Sequence, residues 1–355
     1  LAAVTERIGL AGTISTTYNE PYQVARAFAT LDHLSRGRAA LNVVTSSTSQ
    51  EARNFGREQH VEHGARYRRA QEFVTVLRAL WDSWDDGALV LDRAAGVFAD
   101  PARIHHLNHR GANFAVRGPL NVPRPPQGHP VVIQAGASEA GRDLAAREAD
   151  IIFVVHRSLD SAKADYAVTK ALVARLGRAP ETVKILPGVM PIIAATEAEA
   201  RRREAALNDL LHPAIAVAYL SDQLGHDLSP YDPAGPLPDL PEGNGEIGRA
   251  RHLAAMAREE GLSIAEVGRR AAINRGHLRF VGTPGQIADE IERWFRAEAC
   301  DGFNILPPWH PGGLEDFVDH VVPELQRRGL FRMEYEGTTL RDHLGLARPA
   351  GTFGG

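Results

Sequence analysis

The sequence predicts an α/β fold of the (β/α)8 TIM-barrel type, and three observations carry that expectation. Short runs rich in Val and Ile alternate with stretches of helical periodicity, the signature of βα units around a parallel sheet. The 355 residues are 44% hydrophobic, enough to bury one large core. Polar residues collect where the apolar runs end, which is the end of a barrel that carries its active site.

The first strand, 8–14 (IGLAGTI), ends in Thr13, Ser15, Thr16, Thr17 and Tyr18, and a helix over 21–35 follows it. The second, 39–45 (AALNVVT), ends in Asn42, Thr45, Ser46 and Ser47, ahead of a helix over 63–82. A β-branched run at 131–135 (VVIQA) enters a small-residue loop and then an alanine-rich helix, 139–148. Strands at 150–155 (DIIFVV), 183–194 (VKILPGVMPIIA) and 302–307 (GFNILP) precede helices at 159–177, 195–211 and 314–328. Six βα units are therefore visible, and an eight-stranded barrel needs two more, roughly 30 or more residues per βαβ unit. The chain opens LAAVTERIGLAGTI, without Met, and reads like the last turn of a helix entering a strand. The expectation is one barrel domain over 1–355 whose first two βα units are absent from this chain.

Two segments break the alternation. Residues 86–128 carry Gly, Pro and short apolar pieces and read as an excursion with short strands. Residues 206–282 hold the loop SPYDPAGPLPDLPEGNGEIG and the amphipathic stretch LSIAEVGRRAAINR. An insertion of that length in a barrel is usually functional, and it is the candidate lid.

Composition excludes several classes. A net charge of −4 without a basic stripe argues against nucleic acid, and no apolar run approaches a membrane span. The single cysteine, Cys300, excludes an internal disulfide and a cysteine metal cluster, and no metal site is expected. With no signal peptide in view, a cytoplasmic location is the default. No Gly-x-Ser-x-Gly elbow, Walker loop or dinucleotide glycine motif is present, so acyl transfer and nucleotide hydrolysis have no support.

The stretch PVVIQAGASEAGRDLAAREAD, 130–150, is the most informative. A strand that feeds a helix through small residues leaves the first N–H groups of the helix uncovered, a ready site for a phosphate. Ser138 adds a hydroxyl, and Gly136 and Gly141 let the backbone approach an anion. The bland alternative is a βα turn with a Ser N-cap. In HVEHGARYRRAQEF, His63 and Tyr67 are four apart and share a helix face, with Arg66 flanking it. That face can hydrogen-bond a ring system or an anionic tail, or simply be a surface. His105, His106 and His109 lack metal spacing, whereas His156 and His310 follow strands and are candidate substrate contacts or proton donors.

The segments STTYNEPYQVARAFATLDHLSRGRAALNVVTS, HGARYRRAQEF, LWDSWDDGALV, GPLNVPRPPQGHPVVIQAGASEAGRDLAAREAD and VPELQRRGLFRMEYEGTTLRDHLGL, in that order, cover nearly the whole chain. They resemble the nitrilotriacetate monooxygenase and dibenzothiophene-sulfone monooxygenase branch of the bacterial luciferase-like flavin enzymes. The resemblance implies a barrel of bacterial luciferase type and a two-component, FMN-dependent monooxygenase. Reduced FMN would come from a separate NAD(P)H-dependent flavin reductase, and O2 would oxygenate a small organic substrate through a peroxyflavin. It places Ser138 and Gly141 at the FMN phosphate and His63 and Tyr67 against the flavin. Thr13 and Ser15, with Asn42 and Thr45, would line the two strand tips beside the ring. His63 would donate to the peroxide or fix the ring, and His156 would tune substrate choice or proton delivery. A homo-oligomer is also implied. The alternatives are a deazaflavin-dependent oxidoreductase of the same fold and a non-catalytic flavin-binding barrel.

Overall fold

A computed structural model describes residues 1–46, 49–156, 158–240, 247–274 and 276–353. Ser47 and Arg275, at the edges of two expected features, lie outside them, as do residues 241–246 of the Pro- and Gly-rich loop. The chain divides into two compact units. One is Leu1–Ala135 with Asp143–Ile151 and Glu334–Gly355; the other is Gly136–Arg142 with Ile152–Met333.

The first unit begins with β1 (Leu10–Ser15), α1 (Pro21–Leu34), β2 (Ala39–Val44), α2 (Ser49–Arg53) and α3 (His63–Trp81). Two antiparallel hairpins follow, β3 (Leu89–Asp92) with β4 (Val97–Ala99) and β5 (His109–Arg110) with β6 (Ala115–Val116), and then β7 (Val131–Gln134). The parallel order is β1-β2-β7, with Thr13 opposite Asn42 and Asn42 opposite Ile133. Pro21 opens α1, where its fixed φ and missing N–H suit the first turn. Val24, Ala25, Phe28 and Ala29 of α1 are buried, as are Ala70, Phe73, Val74, Leu77, Leu80 and Trp81 of α3, the 3–4 spacing of an amphipathic face. They close over Leu41, Val43 and Val132 in one core. Each Val, Leu or Phe among them contributes about 1.5–3 kcal/mol by leaving water. Trp81 Nε1 also donates to the Ala25 carbonyl at 3.0 Å, which fixes α3 against α1.

The 86–128 excursion therefore holds short strands, and its histidines are structural. His109 Nε2 lies 3.0 Å from the Glu72 carboxylate, which also accepts from the Asn113 and Phe114 backbones at 2.9 and 3.0 Å. Burial opposes ionisation of Glu72, but these hydrogen bonds outweigh it and hold the carboxyl at about 2. His105 pairs with Asp85 at 2.9 Å and His106 with the Gly118 carbonyl at 2.9 Å. Three histidines with three separate partners make no ligand set, and no metal-holding group occurs among the described residues. The segment after Glu334 binds back onto this unit. Arg341 meets Asp150 at 3.0 Å, Arg348 grips Asp86 with two bonds of 2.6 Å, and Thr352 donates to Asp82 at 2.6 Å.

The helix α4 (Glu139–Glu148) has its first four residues in the second unit and the rest in the first, and β8 (Ile151–Val154) follows it. The second unit continues with α5 (Leu159–Arg175), β9 (Lys184–Ile193), α6 (Glu197–Asp209), α7 (Pro213–Leu224), α8 (Ile247–Glu260) and α9 (Ile264–Asn274). It ends with β10 (Leu278–Gly282), α10 (Pro284–Arg296), β11 (Asn304–Ile305) and a helical stretch from Gly313 to Arg327. β9 lies beside β8, and its seven residues from Pro187 on are all buried, as expected for a parallel strand covered on both faces. Its middle, Gly188 and Val189, pairs with β11, and Val189–Ile193 pairs with β10. Asp301 fixes the start of this sheet, accepting from Ile185 N at 2.8 Å and Tyr166 Oη at 2.9 Å, with Lys170 Nζ 2.9 Å away.

Here the structure corrects the reading of 206–282. Its last five residues are β10, a sheet strand, and the helix after it, α10, is absent from the expected set. What remains is a three-helix insertion with its own small core, in which Leu220, Leu228, Leu253 and Val267 are fully buried. The expected strand 302–307 shortens to Asn304–Ile305. No helix among the described residues is long and apolar enough to cross a membrane.

Candidate active site

In the first unit the register of β1 and β2 builds the site. Because Thr13 lies opposite Asn42, both side chains leave the same face, and Asn42 Nδ2 donates to Thr13 Oγ1 at 3.2 Å. Asn42 Oδ1 is buried and has no hydrogen-bond partner, an uncommon state for an amide oxygen. One step further along, Ser15 and Ser46 share a hydrogen bond of 2.5 Å, and Ser46 Oγ donates to Glu51 at 2.6 Å. Ser46 holds φ at 61°, a left-handed conformation that these two bonds stabilise. Thr17 Oγ1 donates to the Thr45 carbonyl at 2.7 Å, so the strand tips are tied together.

Helix α3 carries the next two candidates, His63 and Tyr67. Glu62 caps it, accepting from Gly64 N and Ala65 N at 2.7 Å each. His63 and Tyr67 stack obliquely, with ring centres 4.9 Å apart. Arg69 donates to the carbonyls of Thr16 and Asn19 at 3.0 and 3.2 Å, which anchors this part of α3 to the chain leaving β1. Burial, then the charge of Arg66, pushes the His63 imidazole below its ordinary range; the Glu62 carboxylate opposes this only partly. His63 is thus neutral at pH 7, able to donate from one ring nitrogen and accept at the other.

Arg66, three residues from His63 on the same helix, is 1% exposed and donates to the Val61 carbonyl at 2.7 Å. Three groups were missed altogether: Glu51, His60 and Phe55. Tyr18 Oη lies 2.6 Å from His60 Nδ1, and the Tyr18 ring stacks on Phe55 at 4.4 Å. The Tyr18–His60 contact closes a loop of 42 residues and has no periodic signal.

The second unit carries the other expected residues. Ser138 Oγ accepts from Gly141 N at 3.1 Å, as an N-cap for α4, and its own hydrogen remains available to an acceptor. Gly141 has no room for a side chain: a Cβ there would lie 2.8 Å from both Cα and C of Gly136. The loop therefore doubles back over the first turn of α4, as a phosphate cradle requires. His156 is 8% exposed, with Nε2 3.7 Å from Asp165, and Asp165 is 3.0 Å from Arg142 of α4. Asn304 sits half-buried in β11, whereas His310 is exposed. Cys300 is buried, and burial pushes its thiol up to about 12, so it is inert.

A model of the luciferase-like monooxygenase family matches residues 1–300. The chain belongs to that family. It is 54% identical over 351 residues to nitrilotriacetate monooxygenase component A of Aminobacter aminovorans, covering 98% of this chain and 78% of that protein. It is 49% identical over 353 residues to dibenzothiophene-sulfone monooxygenase of Rhodococcus erythropolis, covering 98% and 78%. Among solved structures, riboflavin lyase with modified FMN and riboflavin superposes with a TM-score of 0.88 at 35% identity, over 98% of this chain and 77% of that one. The expected branch and the luciferase-like α/β fold are both borne out. This luciferase-like chain is accordingly an enzyme of the flavin-dependent monooxygenase class.

Proposed function

We propose that this luciferase-like monooxygenase binds reduced FMN, delivered by a separate NAD(P)H-dependent flavin reductase, and uses O2 to oxygenate a small organic substrate. The flavin supplies the oxygen chemistry when bound; the protein orients it, positions the substrate and keeps water out. The observation that carries the reading is the fold-back of Gly136 over Gly141 at the start of α4, with Ser138 placed to donate. Bare helix N–H groups, a hydroxyl and the helix dipole suit a phosphate dianion.

The first unit, taken by itself, carries groups that suit a flavin ring. A reduced isoalloxazine presents N–H donors, and Asn42 Oδ1 is a buried acceptor that lacks one. Thr13 Oγ1 accepts from the Asn42 amide, Ser15 and Thr45 would add hydroxyls farther along the two strand tips, and His63 with Tyr67 would bind the ring from α3. A neutral His63 holds or gives a proton at Nδ1 or Nε2 without presenting a fixed positive charge. The three-helix insertion of the second unit is proposed as the lid.

The test is anaerobic titration with photoreduced FMN and with reduced riboflavin, which lacks the phosphate. FMN should bind more tightly. Ser138→Ala should cost about 1–2 kcal/mol for FMN and nothing for riboflavin, the scale of a hydrogen bond to a charged group. Tyr67→Phe should weaken both by a similar amount. Equal binding of the two flavins to the parent protein removes the phosphate from α4.

A further inference from the structure

The phosphate site proposed at α4 has a neighbour that its chemistry does not require. Arg142 is the fourth residue of α4 and its side chain is about half exposed. Helical side chains lean toward the N-terminus, so the Arg142 side chain extends toward the turn where the phosphate is placed. Its charge, however, is already engaged by Asp165 of α5 at 3.0 Å. On the other side of that carboxylate lies His156, with Nε2 3.7 Å away. That nitrogen is buried without a hydrogen bond. Asp165 thus stands between a guanidinium and an imidazole, and its single charge can balance only one cation.

We infer that His156 and Asp165 are positioning residues that set how much of the Arg142 charge reaches the flavin phosphate, making flavin recognition respond to proton concentration. With His156 neutral, Arg142 and Asp165 cancel, and α4 meets the phosphate with its backbone and Ser138 alone. A protonated His156 takes up the carboxylate across a short gap and releases the guanidinium. One unit of positive charge is added beside the phosphate even before any side chain moves. Among the described residues, the charged groups that face His156 are Asp165 of α5 and Arg142 of α4. Burial, foremost, and Arg142 disfavour the imidazolium; Asp165 favours it but does not win. The proton is therefore absent at pH 7 and is taken up below the ordinary histidine range. A bound phosphate dianion favours that uptake, so by linkage affinity rises as the pH falls through that range.

This inference rests on the placement of the FMN phosphate at α4, and the experiment separates the two. FMN and riboflavin are titrated by fluorescence between pH 5.5 and 8 against the parent chain, His156→Gln and Asp165→Asn. Comparison with His156→Gln cancels the protonation of the phosphate itself, which falls at about pH 6. The parent and His156→Gln should match at pH 8, and the parent should bind FMN about three- to tenfold more tightly at pH 5.5. Asp165→Asn, which frees Arg142 at every pH, should bind FMN more tightly than the parent at pH 8, a gain that a misfolded variant cannot produce. Riboflavin should follow none of these differences. Parallel curves for parent and His156→Gln, or an Asp165→Asn variant no tighter than the parent, overturn the positioning role while FMN still outbinds riboflavin. Equal affinity for the two flavins at every pH overturns the phosphate placement, and this inference with it.

Discussion

Asp82→Ala should lower the unfolding free energy by about 3 kcal/mol, the low end of the cost of breaking a buried ion pair. The Asp82 side chain is 2% exposed and accepts from Arg124 at 3.2 Å, His129 at 2.9 Å and Thr352 at 2.6 Å. Removing it strands a guanidinium that is itself 3% exposed. Asp86 still reaches Arg124 at 2.7 Å, but it is 59% exposed and replaces only part of the lost stabilisation. Burial works against the Asp82 anion, yet His129, Thr352 and Arg124 together hold its carboxyl below the usual range. A depressed native value means that its contribution is complete above the unfolded value of about 3.9 and is lost as pH falls through the native one. Urea denaturation should therefore show the full deficit of Asp82→Ala at pH 7 and a shrinking one below about pH 4. A deficit under about 1 kcal/mol at pH 7 would mean that Asp86 alone satisfies Arg124.

Gly141→Val should weaken FMN binding by more than about tenfold, over 1.4 kcal/mol, while riboflavin binding changes little. The clash is with backbone: Cα and C of Gly136 sit 2.8 Å from the added Cβ, and neither can swing aside as a side chain would. Relief requires the Gly136–Ser138 loop to lift from α4, which carries the hydroxyl and the backbone donors off the phosphate together. The readout is the ratio of the two flavin affinities, with circular dichroism to show that the variant is folded. An unchanged ratio would place the phosphate elsewhere.

Local periodicity made much of this legible. The Glu139–Glu148 helix coincides with its expected bounds because an alanine-rich run begins directly after a small-residue loop. His63 and Tyr67 were visible because a spacing of four on a helix means one face. β10 was hidden because LRFVG is short and follows a long polar stretch that absorbed it. Its signal was nevertheless present: Thr283 and Gln286 form a reciprocal cap behind Pro284, marking a helix start that only a preceding element can feed. The burial of Arg66 had no signal in the sequence, because an arginine on a helix is exposed by default; in the structure it donates to the Val61 carbonyl. Tyr18 with His60, and Ser46 with Glu51, depend on how a loop closes, and composition does not encode that.

The return of the segment after Glu334 onto the first unit has a consequence for biosynthesis. Arg341 and its carboxylate Asp150 are 191 residues apart. At about 5–20 residues per second, a ribosome needs roughly 10–40 seconds to cover that distance. Throughout that interval Asp82, Asp86 and Asp150 are made but lack partners that have yet to be translated. The first unit is thus completed only after the second has been made, and a chaperone that shields the nascent β1-β2-β7 ladder would act in that window.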